Sequence, residues 1–245
     1  MSQEIEWLLK EKYQGKQTDA FFADCRSLAL GEPLGYLIGH TPFLGCKIHL
    51  DSKPLIPRPE TEFWTELAIK EIERSKSKAL RVLDLCAGSG CIGVAVAKAI
   101  TSATVDFSEI DESHIPTIEK NVLENHIDLA RTHIRHTNLF EAFSGTYDFI
   151  LSNPPYIDAA LNRVDESVIN NEPYVALFGG DGGLDVITHI IEEAPKHLER
   201  HGQLWIEHEP EQSDAIRNLA REHKFTCSTH HDQYDVERYS VLVLQ

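Results

Sequence analysis

From Leu80 onward the chain alternates short apolar runs with amphipathic stretches, a rhythm that implies parallel strands joined by crossover helices. The runs fall at 81–85, 104–110, about 133–136, 147–152, 203–207, near 225–229 and near 239–244. Their continuous apolar character suits strands covered on both faces. Helical spacing between them predicts helices over 92–100, 113–125, 184–200 and 211–223. The expectation is an α/β fold around a seven-stranded, mostly parallel sheet.

Open parallel sheets hold ligands at the carboxyl ends of their strands. Three chemistry-bearing signals fall there. The run Cys86-Ala87-Gly88-Ser89-Gly90-Cys91-Ile92-Gly93 links the first strand to a helix, so a nucleotide can approach backbone N–H groups closely. Glu109 ends the second strand, about 20 residues after the glycines, where a carboxylate can accept both hydroxyls of a ribose. Asp111 is the rival for that role. Asn153-Pro154-Pro155-Tyr156 ends the fourth strand, because neither proline can donate to a ladder and each fixes its own φ. Asn153 can present a carbonyl and an amide there, and the Pro154 carbonyl has no sheet partner to serve. Two acceptors beside an aromatic ring suit a planar –NH2 group. Each motif alone has an ordinary reading, such as a Pro-rich loop after a strand. Their meeting on one sheet edge is what chance rarely supplies.

Before the sheet, Ile5, Leu8 and Leu9, then Phe21, Phe22, Cys25 and Leu28, recur at helical spacing. Residues 1–30 are therefore read as a short helical region of two helices, too little to bury a core alone. Glycines and prolines punctuate 31–59, predicting a β-hairpin linker, and 60–245 carries the main domain. A helix should start at Glu60 or Thr61 and run to about Lys76, burying Phe63, Leu67, Ala68 and Ile72. Arg58 and Glu60 read as a solvated pair. Residues 158–178 read as a long polar, irregular insertion, a kind of loop that is usually functional or disordered.

A formal net charge of −16 repels phosphate backbones and counts against nucleic acid as substrate. The five cysteines are scattered, without a CxxC pair or metal-ligand spacing, so reduced thiols and no metal are expected. An acidic N-terminus without a signal-type apolar stretch, and no run long enough to span a bilayer, point to a cytoplasmic protein with no membrane contact.

Gly88 to Gly93 formally matches GxGxxG, so a nicotinamide dehydrogenase competes, but such an enzyme gives no reason for the Asn-Pro-Pro-Tyr turn. The Asp84-x-x-x-Gly88-x-Gly90 framing instead resembles the first motif of class I (Rossmann-like) S-adenosylmethionine-dependent methyltransferases. Further runs make the resemblance specific: 32–39 (Glu-Pro-Leu-Gly-Tyr-Leu-Ile-Gly), 55–62 (Leu-Ile-Pro-Arg-Pro-Glu-Thr-Glu), Asn153 to Ile157, Glu172-Pro173 and Gly180-Asp181-Gly182-Gly183. Together they look like the HemK/PrmC family, which methylates the side-chain amide nitrogen of the glutamine in the Gly-Gly-Gln motif of peptide chain release factors. The resemblance implies S-adenosyl-L-methionine as cofactor, S-adenosyl-L-homocysteine as product and a release factor as partner. By position, Asp84 and Cys86, Ala87, Gly88, Ser89 and Gly90 would hold the methionine moiety, and Glu109 the ribose. Asn138 and Leu139 would flank the adenine, and Asn153, Pro154, Pro155 and Tyr156 would grip the glutamine amide.

Three departures from the family pattern stand out. Cys86 occupies a glycine position, tolerable only where φ is not positive. Asn138 replaces the usual aspartate, and the helical region before Glu32 is about half the family's length or less; in the family that region helps engage the release factor. Two other methyltransferase readings remain: adenine N6 in nucleic acid offers the same –NH2 geometry, and another protein glutamine fits equally. A non-catalytic binding module is a further alternative. Oligomeric state has no sequence signal.

Overall fold

The computed structural model describes residues 2–75, 79–161 and 163–245. Helices α1 (Gln3–Glu11) and α2 (Asp19–Ala29) start where the hydroxyls of Ser2 and Thr18 accept from Ile5 N and Phe21 N. The partner they need is a third helix, α3 (Leu34–Ile38), which the Gly/Pro punctuation of the linker concealed. Leu8, Phe21 and Leu37 close into a small apolar cluster.

Strands β1 (His40–Phe43) and β2 (Cys46–His49) form the expected hairpin. It is more than a spacer, because Phe43, Cys46 and Ile48 sink into the main core. Asn121 and Asn125 each bond the β2 backbone through both ends of the amide, at His49 and Lys47 respectively.

Helix α4 (Pro59–Arg74) starts one residue earlier than expected, with Pro59 at N1 where a missing N–H costs nothing. The expected end near Lys76 lies outside the described residues. Its buried face is Thr61, Trp64, Thr65, Ala68 and Ile72, while Phe63 and Leu67 are half-buried. The expected face is therefore rotated, because fully buried Trp64 takes the inward position. Arg58 does not pair with Glu60. Its guanidinium donates to Glu172 at 2.6 Å, and the other Glu172 oxygen accepts from Ile56 N at 3.2 Å. Two motifs far apart in sequence are thus one structural unit.

The main sheet uses β3 (Arg81–Leu85), β4 (Thr104–Glu109), β5 (Thr132–His136), β6 (Tyr147–Ser152), β7 (Leu198–Glu207), β8 (Phe225–His231) and β9 (Glu237–Leu244). Their spatial order is β5-β4-β3-β6-β7-β9-β8, with β9 antiparallel to both neighbours and every other pair parallel. Crossovers run through α5 (Cys91–Ala99), α6 (Ile115–Glu124), a segment holding α7 (Glu166–Asn171), α8 (Tyr174–Leu177) and α9 (Asp185–Glu193), and then α10 (Ser213–Glu222). Alternation assigns the faces: Val82 packs with α4, α5 and α6, whereas Leu83 and Leu85 pack with α9 and α10. The seven-stranded, mostly parallel α/β sheet is as expected from sequence.

Three segments differ from expectation. Residues 158–178 contain a 3-10 turn, α7 and α8 rather than irregular chain. Helix α9 ends at Glu193 rather than near Arg200; a 3-10 turn containing Pro195 follows, because proline takes away a helical donor. Strand β7 already starts at Leu198, opposite Tyr147, and slips register before Gln203, with His201 in the left-handed region at φ 66°. Among the described residues no helix is long and apolar enough to cross a membrane, and no group of three or more His, Cys, Asp or Glu could hold a metal ion.

Candidate active site

Strand order reverses between β4 and β6 across β3, which opens a crevice at their carboxyl ends. A cavity of ≈ 370 Å³ occupies it. Cys86, Ala87, Gly88, Ser89, Glu109, Asn138, Leu139 and Asn153 line this cavity, as does Pro155. A second hollow of ≈ 260 Å³ is lined by Asn153, Pro154 and Tyr156, together with Arg58, Ile157 and Gln212. Asn153 borders both hollows, together with Leu55 and Ala176.

Asp84 and Gly90 stand behind the cavity wall rather than in it. Gly90 caps α5, and the fully buried Asp84 accepts from Gly93 N through Oδ2 at 2.8 Å. Its Oδ1 has no partner among the described residues. Burial, with Glu109 nearby, pushes the Asp84 carboxyl up to about 8. A raised acid is neutral in the fold while the unfolded chain ionises, so its stabilisation is intact below about pH 4 and falls as pH rises towards 8. Asp84→Asn mimics the neutral form. In thermal unfolding the variant should gain about 2 kcal/mol on the wild type between pH 6 and pH 8; parallel stability curves would contradict this.

Cys86 sits at φ 62°, the left-handed conformation that its side chain disfavours. The condition for tolerating a non-glycine here is therefore not met, and the turn carries strain of about 1–2 kcal/mol. A Cβ on Gly88 would meet nothing within 4 Å, so the turn does border open space. Glu109, 6% exposed, accepts from Gly88 N and from Asp111 N, each at 2.7 Å. Those two donors aim the carboxylate along the cavity. Asp111 is otherwise engaged, accepting from Ser113 N at 2.9 Å; the Ser113 hydroxyl, and then this N–H, hold its carboxyl below the usual range. Asn138 donates to Glu141 Oε1 at 3.2 Å, leaving its own oxygen available to accept an amino group.

Glu207 was not anticipated, yet it organises the Asn-Pro-Pro-Tyr turn from the end of β7. It is 1% exposed and receives Thr61 Oγ1 (2.7 Å) and Trp64 Nε1 (2.6 Å) on Oε2, and the Tyr156 hydroxyl (2.9 Å) on Oε1. Burial raises its pKa, opposed by these three hydrogen bonds. The Tyr156 phenol is pushed well above its ordinary value by burial and by Glu207, so it stays a donor. Asn153 Nδ2 donates to Thr61 Oγ1 at 3.1 Å. Among the described residues nothing donates to the Pro154 carbonyl. Thr61, a helix-start residue within the 55–62 run, gains a further contact here. A carboxylate ending a further strand on the same edge was the available signal for Glu207.

The glycine run at 180–183 braces this turn from behind. Gln212 Nε2 donates to the carbonyls of Tyr156 (2.8 Å) and Gly182 (2.9 Å). A Cβ on Gly183 (φ 69°) would drive into the Tyr156 carbonyl oxygen. Gly183→Ala should cost about 2–4 kcal/mol from overlap and backbone strain, lowering the midpoint of thermal unfolding by roughly 10 °C. An unchanged midpoint would mean that this loop yields freely.

Sheet order, the reversed last strand and a ligand-sized cavity over the crevice together define a class I S-adenosylmethionine-dependent methyltransferase. The sequence profile of the Methyltransferase small domain family matches residues 60–236. A release factor glutamine methyltransferase of Lactococcus lactis subsp. lactis is 30% identical over 240 residues, covering 96% of this chain and 86% of that protein. Its counterpart in Streptococcus pneumoniae is 32% identical over 221 residues, covering 88% and 76%. Among solved structures, a methyltransferase from Pyrococcus furiosus aligns with a TM-score of 0.60 at 16% identity, over 91% of this chain and 98% of that one. The N-terminal domain of human METTL16 in complex with SAH aligns at 0.58 and 18% identity, over 82% and 76%. Such distant structures speak for the fold alone. The chain belongs to the release factor glutamine methyltransferase family.

Proposed function

We propose that this protein transfers a methyl group to the side-chain amide nitrogen of the glutamine in the Gly-Gly-Gln motif of a peptide chain release factor, in the cytoplasm. The observation that carries the reading is the position of Asn153, shared by a cofactor-sized cavity and a second hollow that opens on Pro154 and Tyr156. Cys86, Ala87, Gly88 and Ser89 would hold the methionine moiety, Glu109 the ribose, and Asn138 and Leu139 the adenine. Asp84 and Gly90 support that wall from behind. S-adenosylmethionine, when bound, supplies a methyl group on a sulfonium, a good leaving group.

An amide nitrogen is a poor nucleophile because its lone pair is delocalised into the carbonyl. The site therefore works by orientation. Asn153 Oδ1 and the Pro154 carbonyl each accept one N–H of the substrate amide and aim its nitrogen toward the cofactor cavity. Tyr156, fixed through its hydroxyl, lies against the amide plane, and Pro155 keeps the turn rigid. Orientation of this kind is worth several kcal/mol, up to about 7–11 in favourable cases. One N–H proton leaves after the new N–C bond forms, so no strong base is needed.

The decisive experiment is mass spectrometry of purified release factors incubated with the enzyme and S-adenosylmethionine. The expected result is a gain of one methyl group on the Gly-Gly-Gln peptide. Transfer to adenine in nucleic acid instead, or to a different protein glutamine, would overturn it.

A further inference from the structure

An asparagine side chain is nearly symmetric in shape, so its position alone does not say whether oxygen or nitrogen faces the substrate. The contacts behind Asn153 do say. Trp64 Nε1–H is a donor with no capacity to accept, and it points at Glu207 Oε2, so that oxygen is held as an acceptor. Glu207, met by three donors, binds them as a carboxylate, so Thr61 Oγ1 at 2.7 Å donates its only proton to the same Oε2. What Thr61 can still offer Asn153 is a lone pair, and only the amide N–H2 can use it. The polarity runs one way, from Asn153 to Thr61 to Glu207. It leaves Oδ1 as the atom turned from Thr61.

We propose that Thr61, held by Glu207, is a positioning residue that locks Asn153 with its oxygen toward the acceptor hollow. The site thereby admits an amide and rejects a carboxylate of the same shape. This rests on the glutamine-methylation reading given above. A glutamate side chain offers two acceptor oxygens and no N–H, so facing Asn153 Oδ1 and the Pro154 carbonyl it would leave four acceptors without a donor. With Asn153 free to turn over, its N–H2 would suit the carboxylate, and the discrimination would be lost.

The residues lie on different elements, Thr61 in α4, Glu207 at the end of β7 and Asn153 after β6. The same carboxylate also receives Tyr156, so one buried group orients both the asparagine and the tyrosine of the turn.

The test compares release factor carrying the natural glutamine, as substrate, with the same factor carrying glutamate at that position, as competitive inhibitor. For Thr61→Val we expect kcat to fall at least tenfold, with S-adenosylmethionine affinity within about threefold, and the glutamine-over-glutamate preference to shrink about tenfold or more. Thr61→Ser, which keeps the hydroxyl, should restore both to within about threefold. Glu207→Gln gives an independent arm. Trp64 would orient the new carbonyl toward Thr61 and the new N–H2 toward the Tyr156 oxygen, so the preference should survive even if turnover drops. A preference unchanged in Thr61→Val, not restored in Thr61→Ser, or lost in Glu207→Gln overturns the positioning role. If Thr61→Val fails to fold, the serine and glutamine variants still decide. Wild-type enzyme that transfers nothing to the glutamine factor sinks the methylation reading instead, which separates the two failures.

Discussion

Replacing Asn153 with alanine is expected to lower kcat about a thousandfold while leaving affinity for S-adenosylmethionine within a few-fold. The side chain removed is the group proposed to hold one N–H of the substrate amide. Losing a single preorganised polar contact at a reacting centre costs about a hundredfold to a thousandfold. The upper end applies here because a delocalised amide nitrogen has little reactivity beyond what orientation supplies. Asn153 also borders the cofactor cavity, but there it is one of many lining groups. Its loss removes the hydrogen bond to Thr61 without stranding a charge, so the fold should survive. Single-turnover assays with saturating release factor, beside calorimetric titration of the cofactor, separate the two effects. Activity above about a tenth of wild type would remove Asn153 from the acceptor site.

The second large effect concerns the cofactor. Glu109→Ala should weaken S-adenosylmethionine binding about a hundredfold, measured by calorimetry. A hydrogen bond to a charged group contributes roughly 1.5–3 kcal/mol, and two ribose hydroxyls facing one carboxylate bring the total near 3 kcal/mol, which is about two decades in Kd. The alanine variant also strands the N–H groups of Gly88 and Asp111, so the glycine turn itself should loosen. Glu109→Gln, retaining one acceptor, should lose only about tenfold. Asp111→Ala should stay within about threefold, because that carboxylate is already used by Ser113 N. A hundredfold loss in the Asp111 variant with none in the Glu109 variants would reverse the assignment.

Much of the molecule was legible in the chain. Strand and helix positions follow from apolar periodicity, a local property that survives any tertiary context strong enough to bury one face. The glycine turn, Glu109 and the Asn-Pro-Pro-Tyr turn announce themselves because each sits where a strand stops, and strand ends are readable from prolines and glycines alone. Element ends were less legible. Helix α9 stops at Glu193 although helical spacing continues beyond it, and the buried face of α4 turns on where Trp64 finds room. Cys86 shows a different limit. Its place in the strand-to-helix turn says nothing of its φ, and only the backbone reveals a residue held at positive φ.

Periodicity settled the class of fold, and strand-end chemistry pointed to the edge that holds the candidate site, because both depend on neighbours within a few residues. What the chain could not disclose was polarity and pairing. Arg58 meets Glu172 across 114 residues, and Thr61 meets Glu207 across 146. Such partners are chosen by sheet order and strand register, which leave no periodic trace in either segment. Asn153 was visible from the start as a group able to donate or accept. Only the folded chain, by burying one carboxylate behind one hydroxyl, turns its N–H2 onto Thr61 and its oxygen the other way.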